Sequence, residues 1–452
     1  MREGTKDTAI ALSSRVAVLL FGIAIQSALA WLLGPDGRGS YAVCLLFGTL
    51  LGVVFTFGVD RAGQYFVASR KMEKAEGISS SLLLLLMGSA VGIAVGRALM
   101  LTGMDFFNKA DHSSFLISLA IVPFVGLNNA FVLYFIGLRR FKWMAVVEVV
   151  NIAAHLVLTL VLVLGFGMGV NGALLAIVAA GVTSSGVSVA LLRREGALRV
   201  VRRTPGAYGR LLSYGARFFV AKLSNVFHFR IGTMILAFFV EPSAIGLFAA
   251  ASALVMRITI VPKSVETALF SRVAGHSKGR PELVAQAARL SAMTAGVALV
   301  LLALVARPLV RVVLSPSFLP AVALVWVIIP GIFLRASTMV MAAYFMGTDR
   351  PAVCSFSVGL GTLANLVLLL LLLPVMGLSG AAWAMTGGYL VSSLILVLAF
   401  ARASGQGFRE TWLPTREDVR LLRELPAHLR GSLVRARAGA LPGEPKGEGH
   451  ER

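Results

Sequence analysis

Runs of about twenty apolar residues recur down most of this chain, and they leave few folds open to it. In hydrocarbon every backbone N–H and C=O must find a partner inside the protein, so only helices and closed β-barrels span a bilayer. The runs lie near residues 8–33, 40–60, 78–101, 113–137, 145–166 and 170–192, then near 213–239, 243–262, 287–306, 319–345, 351–374 and 378–401. They do not alternate apolar with polar residues as barrel strands do. The chain therefore reads as an all-α polytopic membrane protein with about twelve transmembrane helices.

Composition agrees. Of 452 residues, 57% are hydrophobic and 14% charged, and the mean hydropathy is +0.84, outside the range of soluble domains. The net charge of +21 does not point to nucleic acid, because the basic residues sit between apolar runs and in the C-terminal tail. Lys and Arg gather on one set of span ends: Arg2 and Lys6, Arg61 to Lys74, Arg139 to Lys142, Arg193 to Arg210, Lys263 to Arg280, and Arg350. The opposite ends carry few, among them Arg38, Lys109, Arg307 and Arg311, which predicts cytoplasmic termini. The first run is too long for a signal segment. Cys44 and Cys354 lie inside apolar runs without metal-ligand spacing, so no metal or cofactor is expected.

The chain also repeats itself. Leu29-Ala30-Trp31, Pro35, Gly39 and Tyr41 match Leu236-Ala237-Phe238, Pro242, Gly246 and Phe248 at an offset of 207. Val59-Asp60 and Ala62 match Val265-Glu266 and Ala268 at 206, and Tyr134-Phe135-Ile136-Gly137 with Arg140 matches Tyr344-Phe345-Met346-Gly347 with Arg350 at 210. Gly169, Gly172 and Ala173 match Gly377, Gly380 and Ala381 at 208. Two six-helix bundles of like orientation follow, over 1–207 and 208–402, with a basic tail over 403–452. Such halves, related by an axis along the membrane normal, favour alternating access to a midplane site.

Charged groups inside the spans are expensive and mark function. The span from Ser213 to Phe239 holds Arg217, Lys222, Asn225, His228 and Arg230. At about 100° per residue, Arg217, Asn225 and His228 share a face, Lys222 lies beside it, and Arg230 points nearly opposite. Arg217 is also within snorkelling reach of the basic edge. Arg15 aligns with Lys222 in the repeat, and Arg335 lies mid-span after Pro330, which should bend its helix. Arg257 fits a cavity or a snorkelling role equally. Glu148, Asn151 and His155 share a face, as a packing strip or a proton relay. Cations rather than acids therefore populate the spans, which suits an anionic cargo bearing phosphate. In the tail, Thr415 to Ala438 reads as a surface helix with a Thr415-to-Asp418 cap, and a disordered end follows from Leu441.

Phe239, Gly246-Leu247-Phe248, Phe270-Ser271-Arg272, Gly347 to Arg350, Asn365, and Leu373-Pro374 through Ala382 carry a family likeness. The sequence resembles the polysaccharide-transporter (Wzx-like) branch of the MOP superfamily, related to the MATE exporters and the MurJ flippases. The resemblance implies the MATE-like fold and a flippase of the bacterial inner membrane. It further implies an undecaprenyl-pyrophosphate-linked oligosaccharide as substrate, membrane lipids and polysaccharide polymerase machinery as partners, and no nucleic acid. The chain departs from the family in having Gly232 where an Asp is frequent. Arg15, Arg217, Lys222, Asn225, His228, Arg230 and Arg335 are the expected substrate contacts, with Glu148 and His155 as candidates for proton or ion coupling. A MATE-like multidrug or small-metabolite antiporter is the alternative. An enzyme is not expected, because the outer connections are short and poor in Asp, Glu and His.

Overall fold

A computed structural model describes residues 2–199, 206–274 and 281–405, together with residues 415, 418 and 420. The helices in chain order are α1 (Arg2–Thr56), α2 (Val59–Ala68), α3 (Lys74–Met100), α4 (His112–Leu119), α5 (Val122–Gly137), α6 (Phe141–Thr159) and α7 (Gly169–Arg194). They continue with α8 (Ala207–Phe239), α9 (Pro242–Met256), α10 (Ile260–Ala274), α11 (Pro281–Leu309), α12 (Ala321–Gly347), α13 (Pro351–Met376) and α14 (Leu378–Ser404). No strand occurs among the described residues.

Ten helical stretches among those residues are long and apolar enough to cross a membrane. The first, Val16–Thr56, joins two of the expected spans. Between them Gly34 adopts φ 65° and ψ −176°, a left-handed conformation that turns the chain before Pro35. The expected seventh span is α8, whose 33 residues are ample for a crossing. The expected fourth span divides at residues 120–121 into α4 and α5, with Pro123 in the first turn of α5, where its missing N–H costs nothing. Leu164, Phe166, Leu304 and Val375 are all exposed by well over half, the surface a bilayer covers.

Two compact units result. The first comprises Met1–Arg257, Val300–Ile332 and Ser355–Ser392, and the second Ile258–Leu299, Phe333–Cys354 and Ser393–Arg452. Tyr134 and Phe135 sit at the heart of a buried cluster in the first, with the Tyr134 hydroxyl 2.6 Å from Ser81 Oγ. Their repeat partners Tyr344 and Phe345 occupy the buried cluster of the second, where the Tyr344 ring meets Phe400 edge-on at 5.1 Å. The repeated acid is buried in each unit as well. Asp60 accepts from Asn129 Nδ2, and Glu266 accepts from Lys263 Nζ at 2.7 Å.

Inside the first unit, α1 crosses the start of α9 backbone to backbone. A Cβ on Gly39 would stand 1.7 Å from the Pro242 carbonyl oxygen, and one on Gly246 would stand 2.1 Å from that of Pro35. Pro35 and Gly39 are the repeat partners of Pro242 and Gly246, so each glycine receives the other copy's proline carbonyl. That exchange is what a local twofold relation requires. Nearby, Trp31 Nε1 donates to the Val312 carbonyl at 3.1 Å, and the buried Arg38 guanidinium caps the Phe318 ring at 6.0 Å.

In the second unit the start of the tail is seated on α11. Thr415 N and Oγ1 both donate to Asp418 Oδ2 at 2.8 Å, and Asp418 N donates back to Thr415 Oγ1 at 3.3 Å, a reciprocal capping box. Asp418 is fully buried and accepts from Arg289 Nε at 2.6 Å. Burial pushes its carboxyl up, but the Arg289 and Thr415 hydrogen bonds outweigh that and hold it below the ordinary carboxylate range. Most of the expected surface helix from Thr415 to Ala438, and the expected disordered end, lie outside the described residues.

Two outcomes follow. Gly246→Val forces a side chain into a backbone carbonyl, which should destabilise the protein by about 2 kcal/mol or more, read as a lower unfolding temperature in detergent. Because the folded Asp418 carboxyl is depressed, its contribution to tail docking is full above the ordinary carboxylate pKa of about 4 and fades as pH falls below it. Arg289→Ala at neutral pH should therefore mimic acid, raising trypsin cleavage beyond residue 415 severalfold; equal cleavage of variant and wild type would mean the ion pair does not hold the tail.

Candidate functional site

The face of α6 that carries Glu148, Asn151 and His155 turns toward helices rich in small polar residues. Glu148 and Asn151 line a cavity of about 330 Å³ together with Asn128 and Asn129 of α5, Ser184 of α7 and Val18 of α1. Asn151 Nδ2 donates to Ser184 Oγ at 3.0 Å and to the Ala180 carbonyl at 3.4 Å. The hydroxyls of Ser184 and Ser185 donate to Asn128 Oδ1 at 2.9 and 3.2 Å. Asn129 reaches the buried Asp60 carboxylate of α2. Four helices, α2, α5, α6 and α7, are thus tied together around one polar space, each bond satisfying a group that lipid cannot.

His155 lies on the same face of α6, half-buried, and among the described residues its enclosed Nε2 has no hydrogen-bond partner. Carboxylate and amide oxygens are suited to holding a proton or a hard cation. No group of three His, Cys, Asp or Glu side chains arranged for a metal ion occurs among the described residues. Of this constellation, Glu148 and Asn151 were readable in the sequence. Asn128, Asn129, Ser184 and the depth of Asp60 were not, although adjacent amides inside an apolar run are a usable signal.

Of the expected cationic set, the side chains of Arg217, Arg230 and Arg335 are described. Arg217 and Arg230 are both exposed on α8, on nearly opposite faces and roughly 20 Å apart along the axis at about 1.5 Å per residue. Arg230 lies within Coulombic reach of the Tyr41 hydroxyl of α1. Arg335 is half-buried on α12 and belongs to the second unit. The side chains of Arg15, Lys222, Asn225 and His228 lie outside the described residues. Arg257, ambiguous in the sequence, lays both Nη atoms against Gly22 of α1, 3.6 Å from where a Cβ would stand.

The first turns of α8 are fixed to α2. The Tyr214 ring stacks on Tyr65 with centroids 4.2 Å apart, and Gly215 packs against the backbone of Phe57 and Gly58. On α12, Pro330 lies within an unbroken helix, and the Val327 carbonyl one turn before it accepts from Thr386 Oγ1 at 2.7 Å. A hydroxyl on a neighbouring helix thereby meets a carbonyl in the turn that proline loosens.

Residues 5–274 match the protein family described as polysaccharide biosynthesis protein. No curated protein matches the sequence. Among solved structures, one similar fold is an inward-facing multidrug resistance MATE family transporter of the MOP superfamily, with a TM-score of 0.71 and 16% identity over 89% of this chain and 99% of that one. Another is the lipid II flippase MurJ in an inward closed conformation, with a TM-score of 0.71 and 13% identity over 88% of this chain and 90% of that one. A third, the Vibrio cholerae MATE transporter VcmN in the bent form, has a TM-score of 0.55 and 14% identity over 90% and 100% of the two chains. At these identities the likeness establishes the fold, the all-helical membrane architecture of the MOP transporters.

Asn151→Leu keeps the size of the side chain but removes the donors to Ser184 Oγ and the Ala180 carbonyl. It should cost about 1 kcal/mol or more in the equilibrium unfolding of the purified protein by denaturing detergent. An unchanged midpoint would show that the network contributes nothing to stability.

Proposed function

The chain belongs to the polysaccharide biosynthesis protein family, and from that premise we propose that it is a flippase for a lipid-linked oligosaccharide. The cargo in this reading is an undecaprenyl-pyrophosphate-linked sugar repeat, carried from the cytoplasmic to the periplasmic leaflet of a bacterial inner membrane. The halves 1–207 and 208–402 rock to expose a central path alternately, with both termini cytoplasmic. The observation that carries the reading is the cationic load of α8, where Arg217 and Arg230 stand exposed on a membrane-length helix. A guanidinium there is costly unless it meets an anion or water, and pyrophosphate or acidic sugar matches it.

Arg15, Arg217, Lys222, Asn225, His228, Arg230 and Arg335 are assigned to the substrate path. Each phosphate oxygen exchanges its water for guanidinium, ammonium or amide donors as the headgroup enters, so the charge crosses without ever facing lipid alone. The apolar tail needs no such path and remains in the bilayer. Glu148 and His155 are assigned to coupling: a proton or cation taken up in the amide-lined cavity changes the charge held between α5, α6 and α7, and with it the preferred arrangement of those helices. No chemical step on the cargo is required, in keeping with transport rather than catalysis.

A second reading, export of drugs or small metabolites, is supported by the fold shared with a multidrug transporter. Drug susceptibility of a deletion strain separates the two, since only drug export predicts sensitisation. For the flippase, the Lys222→Ala and Arg335→Ala double variant should abolish polymer export at unchanged protein level, with the lipid-linked sugar accumulating in the membrane. Normal export by that variant would reject the assigned path.

A further inference from the structure

Away from the polar cavity, three unpaired cations converge where α2 ends, α3 begins and α5 ends. Arg70, Lys74 and Arg139 line one pocket of about 290 Å³ whose walls also include Val67, Gly137 and Leu138. The three side chains are exposed, and among the described residues none has a hydrogen bond or an ion pair. Their neighbours are engaged elsewhere. Arg140 is 2.8 Å from Glu195, and Lys71 donates to the Tyr65 hydroxyl at 2.7 Å. Glu73, between Arg70 and Lys74 in the chain, makes no ion pair with either.

The backbone sharpens the case for a ligand. Arg70 and Arg139 have φ of 56° and 58°, each just past a helix end, where glycine is favoured because a Cβ costs about 1 kcal/mol. The turn does not require that cation. In the repeated segment Asp349 takes φ 59° at the position matching Arg139, and the closing bond is the same, Arg140 N to the Phe135 carbonyl and Arg350 N to the Phe345 carbonyl, both at 2.8 Å. An aspartate serves the same turn, so neither the helix end nor its dipole accounts for an arginine at 139.

We propose that this pocket binds the phosphate of an anionic phospholipid headgroup. Two guanidinium forks and an ammonium supply charge-assisted donors to a phosphodiester, and the half-buried Leu138 lies beside them. The pocket lies at the mouth of membrane-spanning helices, where such headgroups are concentrated, and it is larger than a bare phosphate needs. Headgroup binding here is independent of what the protein transports.

Native mass spectrometry of the purified full-length protein in neutral detergent tests this, with phosphatidylglycerol, phosphatidylcholine or inorganic phosphate added. The expected result is a phosphatidylglycerol adduct weakened about tenfold in R70Q/R139Q and measurably in K74Q, but retained in R193Q/R194Q, which removes the same charge from exposed positions at the end of α7. Should the double variant fail to fold, the single Lys74→Gln comparison still decides. Wild-type retention by the pocket variants would overturn the proposal, and so would equal loss in R193Q/R194Q, the mark of diffuse surface charge. Displacement of the lipid by inorganic phosphate would assign the pocket to a soluble anion instead, and equal binding of phosphatidylcholine would remove the role of the phosphate's net charge.

Discussion

A polar group placed in hydrocarbon has no water to fall back on, so its partner must come from another part of the protein. This constraint sets the secondary structure and then the packing. Backbone groups are answered within helices, and side chains are answered across them. Asn151 is met by Ser184, Asn128 by Ser184 and Ser185, Asn129 by Asp60, Tyr134 by Ser81, and the Val327 carbonyl by Thr386. Each bond fixes which faces of two helices meet, because an amide turned toward lipid would be far worse placed.

Against that background the glycines at the crossing of α1 and α9 have a distinct role. Lipid tails are as apolar as leucine, so helices in a membrane gain by close van der Waals approach, which small residues permit. Gly39 and Gly246 bring two backbones within reach of one another's carbonyls. Duplication accounts for the reciprocity: one sequence segment, used twice, produces both halves of the contact. The same duplication places an aromatic pair at the centre of a buried cluster in each unit. Arg139 and Asp349 show where the copies diverged in side chain while keeping the turn.

Much of this was legible from the residues. The kink at Gly34 falls between two expected spans, the Thr415–Asp418 cap forms as its spacing implies, and Glu148 with Asn151 faces one polar space. The seated tail was not legible, because the fully buried ion pair of Asp418 with Arg289 joins residues far apart in the chain. The division of the fourth span was missed because its hydropathy is continuous across residues 120–121, whereas Pro123 only permits a helix start there. Asp60 reads as a span-end acid and proves to be fully enclosed. Arg257 could not be placed until Gly22 left room for it.

The sequence by itself determined the class of protein, the approximate number of crossings, the internal repeat and the sign of the charge within the spans. These are properties of consecutive residues: hydropathy sums along a run, and a repeat is a comparison of one stretch with another. The tertiary structure alone decided which polar groups share a cavity and which cations stand apart. Asn128, Asn151 and Ser184 come from three helices, and Arg217 and Arg230 from opposite faces of one. Which groups meet depends on how each helix is rotated about its axis, and that rotation is set by the partners it must satisfy rather than by its own composition.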